Sequence, residues 1–148
     1  RLKVFASTWN VNQMKLGEIS KSLPRWLGAG SSDADLAIIG LEEIEMGGRS
    51  VAESLVKDTF AKSMQEKGNL TAQTWLQEIL VTLCKSTKND WVRVGSRQLS
   101  GMLLGVYVRS HLKDVTGELQ TGNVARGVMG VGGNKGSVAV ALTIYRRR

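Results

Sequence analysis

The spacing of apolar residues divides the chain into predicted helices and strands. Apolar residues three or four positions apart predict helices over residues 50–67 and 71–86. A shorter helix is predicted over residues 19–27, where Pro24 perturbs it and Gly28 ends it. The two longer segments are therefore expected to form a central pair of helices.

The remaining apolar segments have the composition of strands, rich in β-branched and aromatic residues. They cover residues 2–11, 34–41, 91–99, 102–109 and 138–145. The second of them is almost continuously apolar, which is typical of a strand buried on both faces. Strands that flank a helix pair and then accumulate predict an α/β layered protein with a mixed sheet.

Length and charge narrow the class of protein. The chain has 148 residues, enough for one domain with a sizeable core, and its net charge of +7 favours an anionic partner. Cys84 is the single cysteine, so no internal disulfide forms; the compartment is expected to be reducing and Cys84 to be a small core residue. No apolar run approaches the ~20 residues that span a bilayer. His111, the single histidine, is expected at the surface. One histidine and one cysteine are too few to form the His and Cys cluster that a zinc site needs.

The most distinctive local feature is the glycine-rich stretch over residues 130–136, which contains Asn134 and Lys135. Such a bend exposes backbone N–H groups, and a lysine beside them suits a phosphate oxygen. The commonest phosphate loop is excluded, because there the glycines follow a strand and open a helix. The alternative is a hairpin loop that carries a solvated lysine.

Polar residues follow two of the predicted buried strands. The first strand ends near Asn10, and the second runs into Glu42, Glu43 and Glu45. Strand alternation predicts Glu43 and Glu45 on one face, with Glu42 and Ile44 on the other. Sites in layered α/β folds lie beyond the carboxyl ends of strands, and a carboxylate with an amide suits a hard divalent ion. The alternative is a solvated acidic edge.

Taken in order, these segments resemble the inositol polyphosphate 5-phosphatases of the endonuclease/exonuclease/phosphatase superfamily, and are most similar to the large plant type. The resemblance spans nearly the whole chain, and the combination of segments is far more specific than any one of them. The blocks that carry it are residues 5–12, 35–46, 95–104, 106–108 and 127–138.

The resemblance implies a four-layer α/β sandwich of the deoxyribonuclease-like type, and Mg²⁺-dependent hydrolysis of the 5-phosphate of phosphoinositides or inositol polyphosphates. Asn10 and Glu43 fall on its catalytic, magnesium-binding positions. Asn134 and Lys135 fall on a substrate-binding loop expected near the 1-phosphate of the inositol ring. The implied location is cytoplasmic, with peripheral membrane contact as an option, and no nucleic-acid partner is expected.

The chain also departs from the family pattern. Glu42 stands where a Gln is usual, and Ser137 where a second Gly is usual. The family's later blocks, which carry the general base and the catalytic histidines, are missing. Residues 1–148 are therefore expected to be a partial catalytic domain, about its first half, inactive alone and poorly folded. The alternatives are a non-catalytic remnant or anion-binding module and, more weakly, a nuclease of the same superfamily.

Overall fold

A computed structural model of the chain describes residues 1–45, 69–128 and 131–145, with side chains throughout except at residues 29 and 125–135. The predicted helix over residues 50–67 lies outside the described residues.

Four strands form a mixed sheet, as predicted. They are β1 (Val4–Asn10), β2 (Leu36–Glu42), β3 (Trp91–Leu99) and β4 (Met102–Arg109). The spatial order is β1-β2-β4-β3, in which β1 and β2 are parallel and the other neighbours are antiparallel. Strand β2 is buried along nearly all of its length, which confirms the prediction from its continuous apolar sequence. It lies between β1 and β4, with packed elements on both faces of the sheet.

The short helix predicted over residues 19–27 is wrong in its bounds. The structure has two helices there, α1 (Leu16–Ile19) and α2 (Leu23–Ser31). Pro24 lies in the first turn of α2, where backbone N–H groups have no hydrogen-bond partner within the helix. The N–H that proline lacks is therefore not needed there, and Pro24 begins the helix rather than perturbing it. Gly28 does not end α2, since the helix continues for three more residues.

The second long helix, α3, covers Leu70–Thr87 and confirms the prediction over residues 71–86. The side chain of Asn69 begins it by accepting a hydrogen bond from the amide of Ala72 at 2.8 Å. Lys88 ends it in the left-handed conformation, with φ 55°. The buried face of α3 is apolar, as the spacing predicts, and consists of Ala72, Trp75, Leu76, Ile79 and Leu83.

Two hydrophobic clusters lie on opposite faces of the sheet. The larger one joins the sheet to α2 and α3, and its largest fully buried side chains include Trp75, Tyr107, Leu23, Leu27 and Leu76. The smaller one centres on Leu36, Val106 and Val108. Residues that follow β4 cover it, including the 3₁₀ helix Ser110–Val115. The protein is therefore layered, with helices on one face and a second sheet on the other.

That second sheet is a hairpin of β5 (Gln120–Val128) and β6 (Val131–Ala141), which packs over β3. Strand β5 was not predicted. The glycine-rich stretch predicted as a loop lies mostly within β6, so the loop prediction is wrong, and the strand predicted over residues 138–145 begins earlier and ends at residue 141. A single bridge between Thr116 and Ile144 continues the pairing.

The two faces of β6 differ in burial. Val138, Val140 and Leu142 are half-buried, and the last two pack against the smaller cluster, whereas Ala139 and Ala141 are exposed. One side of this segment therefore packs against the protein, and the other is open to solvent. Among the described helices, none has the length and hydropathy needed to cross a bilayer.

Candidate metal and phosphate site

The parallel pairing of β1 and β2 brings their carboxyl ends together. Asn10 lies directly opposite Glu42 in the register. Beyond the strands, the amide of Val11 donates to the Glu42 carbonyl at 2.9 Å, and the amide of Gln13 donates to the Glu43 carbonyl at 2.8 Å. Asn10 and Glu43, predicted from the sequence as neighbours at strand ends, therefore lie at the same end of the sheet. We call this end, with Asn10, Glu42 and Glu43, the Glu43 end.

Left-handed backbone is concentrated at the Glu43 end. Of the five non-glycine residues with positive φ among the described residues, Asn12 (47°), Gln13 (58°), Glu43 (57°) and Ser100 (51°) lie there; the fifth, Lys88, caps α3. Such conformations cost of order 1–3 kcal/mol each and persist only where surrounding contacts impose them. Strain of this kind clusters at functional sites, which makes this end of the sheet the first candidate.

The turn between β3 and β4 supports the segment that carries Glu43. The amide of Ile44 donates to the Gly101 carbonyl at 3.0 Å. A Cβ placed on Gly101 would lie 3.4 Å from the Cα of Glu43, so the turn packs directly against it. Glu43 is thus held from two sides, by Gln13 and by the β3–β4 turn.

The predicted alternation of the acidic residues is wrong. Glu42, Glu43 and Glu45 are all exposed, whereas Ile44 is buried at 1% exposure. The reason is that β2 ends at Glu42 and Glu43 turns the chain through a left-handed conformation, which breaks the two-residue period. Two adjacent carboxylates, rather than one, therefore face solvent at the end of the strand.

The donors at the Glu43 end fit a hard divalent ion. Within the described part of the chain, no hydrogen bond or ion pair involves the carboxylates of Glu42 and Glu43. The Oδ1 atom of Asn10 accepts a hydrogen bond from the amide of Asn12 at 2.9 Å, and a carbonyl oxygen keeps a second lone pair for a metal. Mg²⁺ takes one or two carboxylates and completes its shell with waters and substrate phosphates. The described residues hold no cluster of three or more His, Cys, Asp or Glu, so a cage built wholly from such side chains is not found there.

The backbone of the glycine-rich stretch runs toward the same end of the molecule. Lys135 pairs with Arg126 and Gly136 with Ala125 in the register of β5 and β6. A Cβ on Gly136 would lie 2.9 Å from Cδ2 of Leu99, the last residue of β3. Within β6 the register with β5 shifts between Lys135 and Val131, so residues 132–134 have no partner in the register and lie opposite residue 127. The backbone of Asn134 and Lys135 lies in β6, and their side chains are outside the described set.

The opposite end of the sheet is occupied by a buried arginine. Nε of Arg109 donates to the Ala34 carbonyl and Nη2 to the Ser32 carbonyl, both at 2.7 Å. Its guanidinium also lies 4.6 Å from the centre of the Trp91 ring. This cation fixes the start of β2, and we call this end of the sheet the Arg109 end.

Three other titratable residues lie elsewhere in the fold. His111 is exposed in the 3₁₀ helix, as expected. Cys84 is half-buried against the larger cluster, with Sγ 4.0 Å from the Trp91 carbonyl. Burial raises the pKa of Tyr107 well above its usual range, and its hydroxyl donates to the Leu76 carbonyl at 3.0 Å. None of these three residues lies at the Glu43 end.

Sequence reasoning missed Gln98, which is buried at 7% exposure near the end of β3. Its Oε1 accepts from the amide of Asn69 at 2.7 Å, and its Nε2 donates to the Ser100 carbonyl at 3.1 Å. A buried amide with partners on two other segments is informative, yet no local pattern predicts it. Strand β3 also contains Arg93, Ser96 and Arg97, so a further polar residue at position 98 gives no signal of its own.

Comparison with known proteins identifies the family of the chain. A profile described as Endonuclease/Exonuclease/phosphatase family 2 matches residues 7–148. Type II inositol polyphosphate 5-phosphatase 15 of Arabidopsis thaliana is 38% identical over 146 residues, covering 99% of this chain and 12% of that protein. Type I inositol polyphosphate 5-phosphatase 13 of the same plant is 33% identical over 146 residues, again 99% of this chain and 12% of the relative. The chain thus spans about an eighth of the curated relatives it matches.

A solved structure has the same fold. The inositol polyphosphate 5-phosphatase domain of SPsynaptojanin, crystallised with inositol (1,4)-bisphosphate and a calcium ion, superposes with a TM-score of 0.63 at 21% sequence identity. The match covers 97% of this chain and 36% of that one. By its sequence profile, its relatives and its mixed α/β architecture, this chain belongs to the endonuclease/exonuclease/phosphatase family 2.

Proposed function

We propose that the full-length protein containing these residues hydrolyses the 5-phosphate of phosphoinositides or soluble inositol polyphosphates in a Mg²⁺-dependent reaction. The observation that carries the proposal is the Glu43 end, where exposed oxygen donors from two parallel strands meet on strained backbone. The relatives named above as inositol polyphosphate 5-phosphatases support the reaction type. The calcium ion in the crystallised domain supports metal dependence without identifying the metal.

In this proposal the chain contributes the metal-binding side of the site. Glu43 and Asn10 hold the ion, and Glu42 adds a second carboxylate that strengthens the local negative potential. An ion held by these residues would supply positive charge to stabilise the phosphoryl group during its transfer to water. The hydrogen bonds of Val11 and Gln13 keep the two strand ends at a fixed separation before substrate arrives.

Lys135 and Asn134 act, in this proposal, on a phosphate of the ring that does not react. A lysine is a compact charge on a flexible stem, suited to neutralising a phosphate without fixing its orientation. Lys135→Ala should therefore raise KM and leave kcat little changed, the pattern of lost uniform binding. A large fall in kcat at unchanged KM would contradict the assignment.

We further propose that residues 1–148 supply about the first half of a catalytic domain and do not complete a site alone. This chain covers 36% of the solved chain with the same fold, which supports a catalytic domain longer than these residues. A positioned general base contributes roughly 10²–10⁴-fold, so the 148-residue chain should release no measurable phosphate. Mg²⁺-dependent turnover by this chain alone, in a soluble monomer with a cooperative melt, would overturn the proposal.

The direct test is phosphate release by the full-length protein from phosphatidylinositol 4,5-bisphosphate in vesicles and from soluble inositol 1,4,5-trisphosphate. The proposal expects release from at least one of them, dependent on Mg²⁺ and lost in Glu43→Gln. Release from the vesicles alone would point to a membrane contact in addition to the headgroup. Cleavage of DNA instead would favour a nuclease, and binding without turnover of any substrate would favour an anion-binding module.

A further inference from the structure

The β3–β4 turn is held in place by a buried side chain rather than by its own sequence alone. Ser100 has φ 51°, a conformation that a serine adopts only when other contacts impose it. The Ser100 carbonyl accepts the Nε2–H of Gln98 at 3.1 Å. The same side chain accepts the amide hydrogen of Asn69 at 2.7 Å through Oε1. Gln98 thus joins the turn to the beginning of α3.

The β3–β4 turn also fixes the position of the segment that carries Glu43. The Gly101 carbonyl accepts the amide of Ile44 at 3.0 Å, and Ile44 itself is buried. The Cα of Glu43 packs against Gly101 in the left-handed conformation. A displacement of the turn would therefore be transmitted by one hydrogen bond and one close contact to the carboxylate-bearing residue.

We infer that Gln98 is a positioning residue for the Glu43 carboxylate. It acts through the backbone, by holding the β3–β4 turn at the position that keeps Glu43 exposed beyond the end of β2. Because the side chain is buried at 7% exposure, its two bonds are shielded from water and replaceable only at a cost. The inference rests on the proposed metal role of Glu43.

The test is the affinity of the full-length protein for Mn²⁺, measured by electron paramagnetic resonance so that turnover is not required. Gln98→Glu keeps an acceptor for Asn69 but sets a carboxylate against the Ser100 carbonyl. Gln98→Met has a similar shape and removes the hydrogen-bonding groups of the side chain, including these two bonds. Each variant should weaken Mn²⁺ binding about 10-fold or more, the range found when groups that orient metal ligands are removed.

The matched control is Gln73→Glu, the same chemical change on α3. Gln73 Oε1 accepts from Nη2 of Arg93 at 3.0 Å, and that bond does not involve the turn. Its Mn²⁺ affinity should equal that of the wild type. A steady-state assay adds a second readout, because the Mg²⁺ activation constant of the Gln98 variants should rise while KM for substrate at saturating Mg²⁺ stays within about twofold.

The outcomes separate the inference from the proposed function. Unchanged Mn²⁺ binding in Gln98→Glu and Gln98→Met, with binding lost in Glu43→Gln, would overturn the positioning role alone. Unchanged binding in Glu43→Gln would overturn the metal site itself. Failure of both Gln98 variants to fold would assign the residue a purely structural role and would also overturn the inference.

Discussion

At the Arg109 end of the four-stranded sheet, two charged side chains are hydrogen-bonded to the backbone of the protein. Arg109 bonds two backbone carbonyls, and Asp35 accepts the backbone amide of Lys3 at 2.9 Å. At the Glu43 end, two carboxylates face solvent and the backbone adopts left-handed conformations. The two ends are built from the same strands and differ in whether their charged side chains are bonded inside the protein.

The comparison teaches how to recognise a site on a fold that offers several polar edges. A charged group that is bonded inside the protein stabilises the fold and has little capacity left for a ligand. Exposed oxygens on strained backbone contribute little to stability, and the structure bears a cost to hold them. The predictions below test this division, beginning with the largest expected effect.

Glu43→Gln should lower turnover of the full-length protein by at least about 100-fold, because loss of a direct ligand should cost no less than loss of an orienting group. The fold should remain intact, since the side chain is exposed. Phosphate release at saturating Mg²⁺ is the measurement. Asp90→Asn, an exposed acid at the Arg109 end, is the control and should keep wild-type activity. Near-wild-type turnover in Glu43→Gln would show that the Glu43 end matters no more for activity than the Arg109 end.

Arg109→Ala should act in the opposite sense, on stability rather than on metal binding. It removes two charge-assisted hydrogen bonds and the contact with Trp91, so the free energy of unfolding should fall by roughly 2–4 kcal/mol. Denaturant unfolding measures this. Arg93→Ala, which removes an exposed arginine bonded to Gln73, should cost less than about 1 kcal/mol. A weaker Mn²⁺ affinity in folded Arg109→Ala would contradict the division.

Gly136→Ala should destabilise the β5–β6 hairpin by roughly 1–3 kcal/mol, because the added Cβ collides with the Val124 carbonyl oxygen and Leu99. The displaced strand should also raise KM, since Lys135 is the preceding residue. Gly122→Ala is the matched control on the paired strand, where no atom lies within 4 Å of an added Cβ. Thermal melts of both variants decide the point, and equal melting temperatures would contradict it.

The smallest effect is expected from Tyr107, away from both ends. Burial raises the pKa of its phenol, an effect that Arg93 only partly offsets, so the folded state keeps the proton that the unfolded chain releases near pH 10. Stability from this group is therefore full below about pH 10 and is lost as the pH rises further. Tyr107→Phe should cost about 0.5–1.5 kcal/mol at pH 8 and should flatten this alkaline loss. Parallel unfolding curves for both proteins from pH 8 to pH 11 would contradict the burial argument.

Much of the fold could be predicted from local sequence pattern, because apolar residues recur with a regular spacing in β2 and in α3. Strand β5 was missed because Gly122, Asn123 and Gly127 have low β-propensity, and only the pairing with β6 makes the segment extended. The prediction that Pro24 perturbs a helix is wrong because the effect of a proline depends on its position. In the first turn a proline is tolerated, whereas in the interior it breaks the helix. Both errors concern boundaries that tertiary contacts decide.

The candidate site was predictable to the level of single strand ends and no further. Asn10 and Glu43 could be placed together because parallel strands end at the same side of a sheet. The exposure of Glu42 depends on the left-handed backbone conformation of Glu43. No local sequence pattern predicts that conformation. Gln98 was missed because its partners Asn69 and Ser100 belong to different elements.

The most direct test of the central claim is the position of a bound metal ion. Crystals of the full-length protein soaked in Mn²⁺ should give an anomalous difference peak about 2.0–2.2 Å from oxygens of Asn10 and Glu43, as for a Mg²⁺-type site. A peak there would confirm that the Glu43 end is the metal site. A peak at the Arg109 end, beside Asp35 and Asp90, with none at Glu43, would contradict the account.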